Sequence, residues 1–393
     1  MLRLVSLIEI EQKTEYKGFL RDKKYSFNFV NEVEITSTWA NQTDTAKIVF
    51  PKKVYFYNEF TKKNETWSDK NIIGGDSTPP LIMRGDKVKI TLGYRYFRKI
   101  DRIYTDNAEP DQTTEFEGYV TKVNPRVPIE IECEDSMWLL KQIQAPNKTW
   151  LSSKYNLESM ITEMLKGSSV TFKVRNSVGT KIGNFITHNE TVSQVLDRLR
   201  KDAYLNSYIR NGELRCSGLV YYPEDQRDVY KGAERVRDWV FDFQKNIIDD
   251  DLVYTRKDDI NIQVRAISKL EIEQGSQNSA GRPKKSISQI EVLIPEKTKG
   301  DAEKRTLHFY NLTKDELIER ATQELDKLYY EGFKGSFTTF GIPSARHGDR
   351  ITIVDKKLTE RAGTYLCKGV TKTFGQNGFR QKIELDLRID GIN

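Results

Sequence analysis

The chain has 393 residues, room for roughly two to three domains. Its 63 Lys+Arg against 57 Asp+Glu leave a formal net charge of only +6, which argues against a polycation built to hold nucleic acid. Aromatic residues make up 11 %, with 19 Tyr and 18 Phe, so a mostly disordered chain is excluded.

The N-terminal run Met1–Ile10 has too short an apolar stretch for a signal peptide. No segment approaches the roughly 18 apolar residues of a membrane-spanning helix. With free thiols and no export signal, synthesis in a reducing cytosol is expected. The first long stretch is β-rich. Tyr25–Val30, Val33–Thr36, Lys47–Phe50 and Val54–Tyr57 alternate polar with β-branched or aromatic residues, the pattern of half-buried antiparallel strands. Gly74-Gly75 and Pro79-Pro80 mark a long loop. Lys87–Leu92, Glu115–Val123 and Pro128–Cys133 continue the same sheet or barrel, and Met137–Leu140 reads as a short helix closing the first domain.

The middle stretch changes character. Asn156 caps a predicted helix carrying Leu157, Met160, Ile161, Met164 and Leu165 on one face, stopped by Gly167. Val170–Val174 reads as a strand. Thr191-Val192-Ser193-Gln194 is a capping box before a helix that buries Val195, Leu196 and Leu199. Tyr208–Cys216 is a hairpin with Asn211-Gly212 at its turn. From about Asn246 strands return, at Leu252–Tyr254 and Ile260–Ile267. Gln274–Lys285 reads as a flexible loop with a basic end. Thr313–Glu316 is a second capping box, for a helix presenting Leu317, Ala321, Leu325 and Leu328. Three C-terminal strands follow. The expected domains are 1–145, 146–245 and 246–393, the last with an inserted helix at about 313–330.

The last strands echo the first domain. Arg84–Ile90 parallels His347–Ile353, Glu117–Val123 parallels Lys368–Phe374, and Ile129–Glu132 parallels Lys382–Leu387. A Gly-Asp turn entering a strand has a physical reason: Gly tolerates positive φ and Asp bonds nearby backbone N–H groups. Three such matches in order point to two related β domains.

Chemistry is sparse. Three Cys (Cys133, Cys216, Cys367) make no disulfide framework or zinc ribbon, and all sit at strand positions, where Cys acts as a small hydrophobe. Three His (His188, His308, His347) argue against a His-rich metal site, and His188 reads as a surface loop residue. Arg84-Gly85-Asp86 is the cell-adhesion tripeptide, but a polar turn before a strand is the plainer reading. Asp249-Asp250-Asp251 lacks the Gly and later Glu of a calcium loop. Glu132 and Glu134 share a strand face and are the paired carboxylates a wall-degrading enzyme needs, although a solvated strand end explains them as well. No phosphate loop, dinucleotide fingerprint, nucleophile elbow or zinc-protease motif is present. No catalytic, cofactor or metal residue is assigned. Tyr94–Arg102 interleaves Arg95, Arg98, Lys99 and Arg102 with aromatics, as single-strand binders do, and is read instead as the arm of a β excursion that contacts protein.

Taken together, Arg84–Ile90, Phe116–Val120, Ile129–Asp135, Gly348–Ile353 and Gly363–Val370, with the helix and hairpin between Thr191 and Leu214, carry a resemblance. The chain resembles the phage baseplate-hub or late-control protein family, which also forms the N-terminal part of type VI secretion spike proteins. The resemblance implies an α+β, mainly β fold: two related antiparallel β-barrel tube domains separated by a small α/β domain. It implies a homotrimer in which six similar domains ring a central channel. A hexameric tail tube or distal tail protein docks on one side and a trimeric tip or spike on the other, so the hub is a symmetry adaptor without enzymatic activity or cofactor. The expected location is the tail tip of the virion. A tape-measure protein is a further expected partner, DNA only a passing cargo, and no membrane insertion by this chain is expected. The chain ends just after the second β domain, so any spike or wall hydrolase is expected as a separate chain. From length and composition, the interface candidates are Tyr94, Arg95, Tyr96, Phe97 and Arg98 in the arm, and Arg282, Lys284 and Lys285 in the basic loop. Two other classes stay open: a wall-degrading enzyme using Glu132 and Glu134, and a nucleic-acid module with salt-sensitive binding.

Overall fold

The computed structural model describes residues 2–389 except 14, 52–53, 59–61, 68–78, 97, 101–102, 106–109, 126–127, 152, 169, 171, 177–183, 211, 218–237, 278–282, 299, 311, 327 and 359–361. Alternation makes the strands. In Thr45–Phe50 every second side chain is buried, and Ile129–Asp135 does the same on the neighbouring strand. Period-two burial of this kind fixes register, because a one-residue slip would turn Ile48 and Ile131 out to water.

The fold is mainly β with four α-helices among the described residues. Its main feature departs from two separate barrels. A single fifteen-stranded sheet runs through both β units. The join is one strand pairing: Val33–Thr38 of the first unit lies antiparallel to Gly369–Phe374 of the second. Edge pairing removes two open strand edges at once.

The two units repeat one another strand for strand. In the first, Glu32–Thr38, Thr45–Phe50, Ile129–Asp135, Asp111–Asn124 and Lys87–Tyr96 lie side by side in that order. In the second the order is Ile247–Asp250, Ser336–Phe340, Gly378–Arg388, Gly363–Gly375 and Arg350–Val354. Registers match as well. Lys87 faces Tyr119 as Arg350 faces Leu366, and Val88 faces Gly118 as Ile351 faces Tyr365. Each long strand then bulges at the same point, past Val120 and past Cys367. One expected match is corrected: Gly118 corresponds to Tyr365, not to Gly369. The two glycines answer different contacts. A Cβ on Gly118 would run into the Glu134 backbone, whereas one on Gly369 would meet the Thr38 side chain across the join.

Between the units sits the α/β part. Helix α1 (Met137–Leu140) sends Met137 and Leu140 into this core, alongside α2 (Leu157–Leu165) and α3 (Val192–Ala203). Both longer helices start at true capping boxes, Asn156 with Ser159 and Thr191 with Gln194. A three-stranded mixed sheet of Lys173–Asn176, Asn206–Arg210 and Glu213–Ser217 completes it.

The second unit carries more than an inserted helix. Ile262–Gln277, Pro283–Ile294 and Glu303–Tyr310 form their own sheet, covered by α4 (Lys314–Asp326), with a separate core of Val264, Ala266, Phe309, Leu317 and Ala321. Much of the expected loop Gln274–Lys285 is therefore strand, with Gln274 opposite Lys284. The run is almost wholly polar in sequence, so no alternation marks it. This layer leans on the α/β part, where the Arg320 guanidinium donates to the Ala203 carbonyl (2.6 Å) and the Tyr204 and Phe309 rings meet at 5.2 Å.

Candidate functional site

The join between the units is built from both copies of the repeat. The sheet pairing runs over six residues on each side. Above it, the Tyr94 ring packs on Phe379 (5.7 Å between centroids). The Tyr94 hydroxyl donates to the Phe379 carbonyl (2.6 Å) and accepts from the Gly341 N–H (3.3 Å). Burial raises its pKa, so it stays a donor.

A second layer is ionic. Glu115 sits at a bulge between Thr114 and Phe116, which turns its carboxylate inward. There it pairs with Lys372 of the second unit and accepts from the Ser344 hydroxyl (2.7 Å). Both side chains are almost fully buried. Arg346 adds a guanidinium bond to the Thr114 carbonyl (2.8 Å).

A third layer joins all three parts. His347 of the second unit is buried with its Nε2 3.6 Å from Asp44 of the first. The Tyr208 ring of the α/β part stands edge-on to it at 4.9 Å, and Trp39 does so at 6.0 Å. The Arg210 guanidinium donates to the His347 carbonyl (2.6 Å). Burial pulls the His347 pKa below its ordinary value, with Asp44 opposing. Burial pushes Asp44 up, but the His347 charge and hydrogen bonds from Ser37 and Thr38 outweigh it and hold the carboxyl low. Asp135 goes the other way, raised well above the carboxylate range by burial and by Asp44. Asp44, Asp135, Arg210 and His347 line a cavity of about 410 Å³, together with Glu115 and Lys372.

This chain has the fold of a tail protein from Neisseria meningitidis MC58, with a TM-score of 0.58 at 13 % identity over 99 % of this chain and 97 % of that one. A 43 kDa tail protein of prophage MuSo2 from Shewanella oneidensis follows at 0.55 and 12 %, covering 98 % and 99 %. A prophage tail protein from Listeria monocytogenes EGD-e gives 0.50 and 12 %, covering 97 % and 94 %. The chain has the fold of phage tail proteins. No protein-family model matches the sequence, and no curated protein is significantly similar to it.

Within this tail-protein fold the residues singled out from sequence take distinct places. Tyr94 is buried in the join, so its ring and hydroxyl serve the chain's own seam rather than an outer surface. Arg95 is half-buried and Tyr96 is 49 % exposed at the end of the same strand. The backbone of Arg98–Ile100 pairs with Ile103–Thr105 in a small hairpin. Lys284 and Lys285 lie on the strand Pro283–Ile294, opposite Gln274 and Glu273. Phe97 and Arg282 lie outside the described residues. Glu132 and Glu134, the carboxylates of the enzyme reading, pair with Lys122 (2.8 Å) and with Lys141 on an exposed strand face. Asp86 of the adhesion tripeptide is buried against Arg21. Asp251 pairs with Lys382 at 3.1 Å. All three cysteines are buried, and desolvation raises each thiol, Cys216 to about 11. Glu115, Ser344, Lys372 and His347 were missed as a group. In the sequence, alternation sets Glu115 opposite Phe116 and with the outward Glu117, and only the bulge turns it inward, so no local signal marked it.

Proposed function

We propose that the chain is a structural hub of a phage tail or related injection machine. Three copies place six similar β units in a ring around the channel, joining a hexameric tail tube to a trimeric tip or spike. The observation that carries this reading is the repeat: two units with the same five-strand order and register, joined side by side in one sheet. A protein with two near-equal units needs only three copies to present sixfold-like geometry on one side and threefold geometry on the other. The buried Glu115–Lys372 pair and the Tyr94 hydroxyl fix the angle between the units, which a closed ring requires.

In this reading the hairpin around Arg98, the exposed Tyr96 and the half-buried Arg95 face the tube or tip, with Arg282, Lys284 and Lys285 as further contact residues. DNA passes as cargo, and a tape-measure segment occupies the channel before ejection. The virion tail tip is the site of action. Light scattering of the purified full chain tests it. A stable species near three times 45.7 kDa, seen as a ring with sixfold-like projections by electron microscopy, is the expected result. A monomer at every concentration overturns it.

A further inference from the structure

The join inside the chain has a counterpart that one copy leaves open. Gly369–Phe374 of the second unit pairs with Val33–Thr38 of the first. The repeat maps each side of this join onto the other unit. Val120 exchanges backbone bonds with Gly85 and Asp86 just as Cys367 does with Gly348 and Asp349, and the same bulge follows. Gly369–Thr371 therefore corresponds to Lys122–Asn124. On the other side, Phe337 faces Ile383 as Ile48 faces Ile131. Counting along the paired strands, Val253 faces Lys334 as Thr36 faces Thr45. Thr36–Thr38 therefore corresponds to Val253–Thr255.

Both counterparts are sheet edges. Among the described residues, Val253–Thr255 pairs only with Gly332–Lys334, and no strand lies beside Lys122–Asn124 on the side away from Ile129–Asp135. Val253 is 66 % exposed and Ile248, just before it on the same edge, is 46 % exposed. Open edges carrying exposed apolar side chains are templates for another strand.

We propose that Lys122–Asn124 of one copy pairs antiparallel with Val253–Thr255 of a second copy, Lys122 opposite Thr255 and Asn124 opposite Val253. This rests on the ring reading above and names its edges. The contact is head-to-tail, first unit to second unit, like the join within the chain. Repetition of one such contact closes a ring when its rotation permits. Pro125 lacks an N–H and ends the open edge early, so this ladder is shorter than the six-residue internal one. The contact joins separate chains, so assembly depends on concentration, as the internal join does not.

Cysteine pairing tests the register, and the three native thiols are buried, which keeps the background low. Full-length Asn124→Cys and Val253→Cys chains are mixed, oxidised mildly and run without reductant. The expected result is a disulfide-linked band at twice the chain mass in the mixture and none with either variant alone. The chain carrying both substitutions should give linked species up to three chains. A band with one variant alone overturns the head-to-tail pairing. No band in the mixture, while light scattering finds the unsubstituted chain trimeric, overturns these edges and leaves the ring reading standing. A monomeric unsubstituted chain with no band removes both.

Discussion

Asp86 and Asp349 occupy equivalent turns yet answer to different donors. Each follows a glycine in the left-handed region, Gly85 at φ +96° and Gly348 at +84°. Each accepts from a backbone N–H three residues back, Met83 (2.9 Å) and Arg346 (2.8 Å). Beyond that they part. Asp86 takes both arms of the Arg21 guanidinium, at 2.8 and 2.7 Å, whereas Asp349 accepts from the neutral Trp239 indole at 3.1 Å. Removing a partner of a buried ion pair strands a charge, which costs about 3–5 kcal/mol, while losing a neutral hydrogen bond costs about 1–3 kcal/mol. Asp86→Ala should therefore lower unfolding free energy in urea by about 3–5 kcal/mol. A loss below about 1 kcal/mol would mean the guanidinium finds water. The turn itself was legible, since Gly-Asp before an alternating run carries its own chemistry. Arg21 was not, because nothing local ties it to a carboxylate 65 residues away.

Strands were easier to read than their neighbours. Alternation identified Lys87–Leu92, Lys47–Phe50 and Ile129–Cys133 because period two reports which side is buried. It does not report which strand lies alongside, so the pairing of Val33–Thr38 with Gly369–Phe374 was invisible. The glycine match of Gly118 to Gly369 misled for the same reason, since each glycine answers a cross-strand contact. The buried Glu115–Lys372 pair across that join yields a prediction about elements rather than single side chains. Lys372→Met leaves the carboxylate buried beside Ser344 and should cost about 3–5 kcal/mol. Adding Glu115→Gln should recover most of that loss, because a matched neutral pair needs no buried counterion. A double-mutant cycle in urea reads the coupling directly. Additive losses would show that the two groups do not hold the units together as a pair.

At the scale of the whole molecule, His347 is where the first unit, the second unit and the α/β part touch one ring. It faces Asp44 and Trp39, Tyr208 and Arg210, and Asp349 of its own turn. Its pKa is lowered from 6.5, by burial first, with Arg210 acting in the same direction and Asp44 and Asp349 against. A depressed histidine contributes stability that is present above its unfolded value and is lost as pH falls toward its folded one. The structure should therefore weaken as pH drops below about 6.5, the ordinary histidine value. Asp135 works with the opposite sign: a raised carboxyl stabilises at low pH and loses that contribution as pH rises through its folded value. His347→Gln also removes the pull on Asp44, and through Asp44 the push on Asp135, so the difference reports the histidine together with the two carboxyls it acts on. Urea midpoints measured from pH 7.5 to 5 should fall more steeply for the native chain than for the variant. The proposed ring needs a fixed angle between the β units, so its assembly should follow the same slope. Parallel slopes would place the proton elsewhere and leave His347 as a packing residue of the junction.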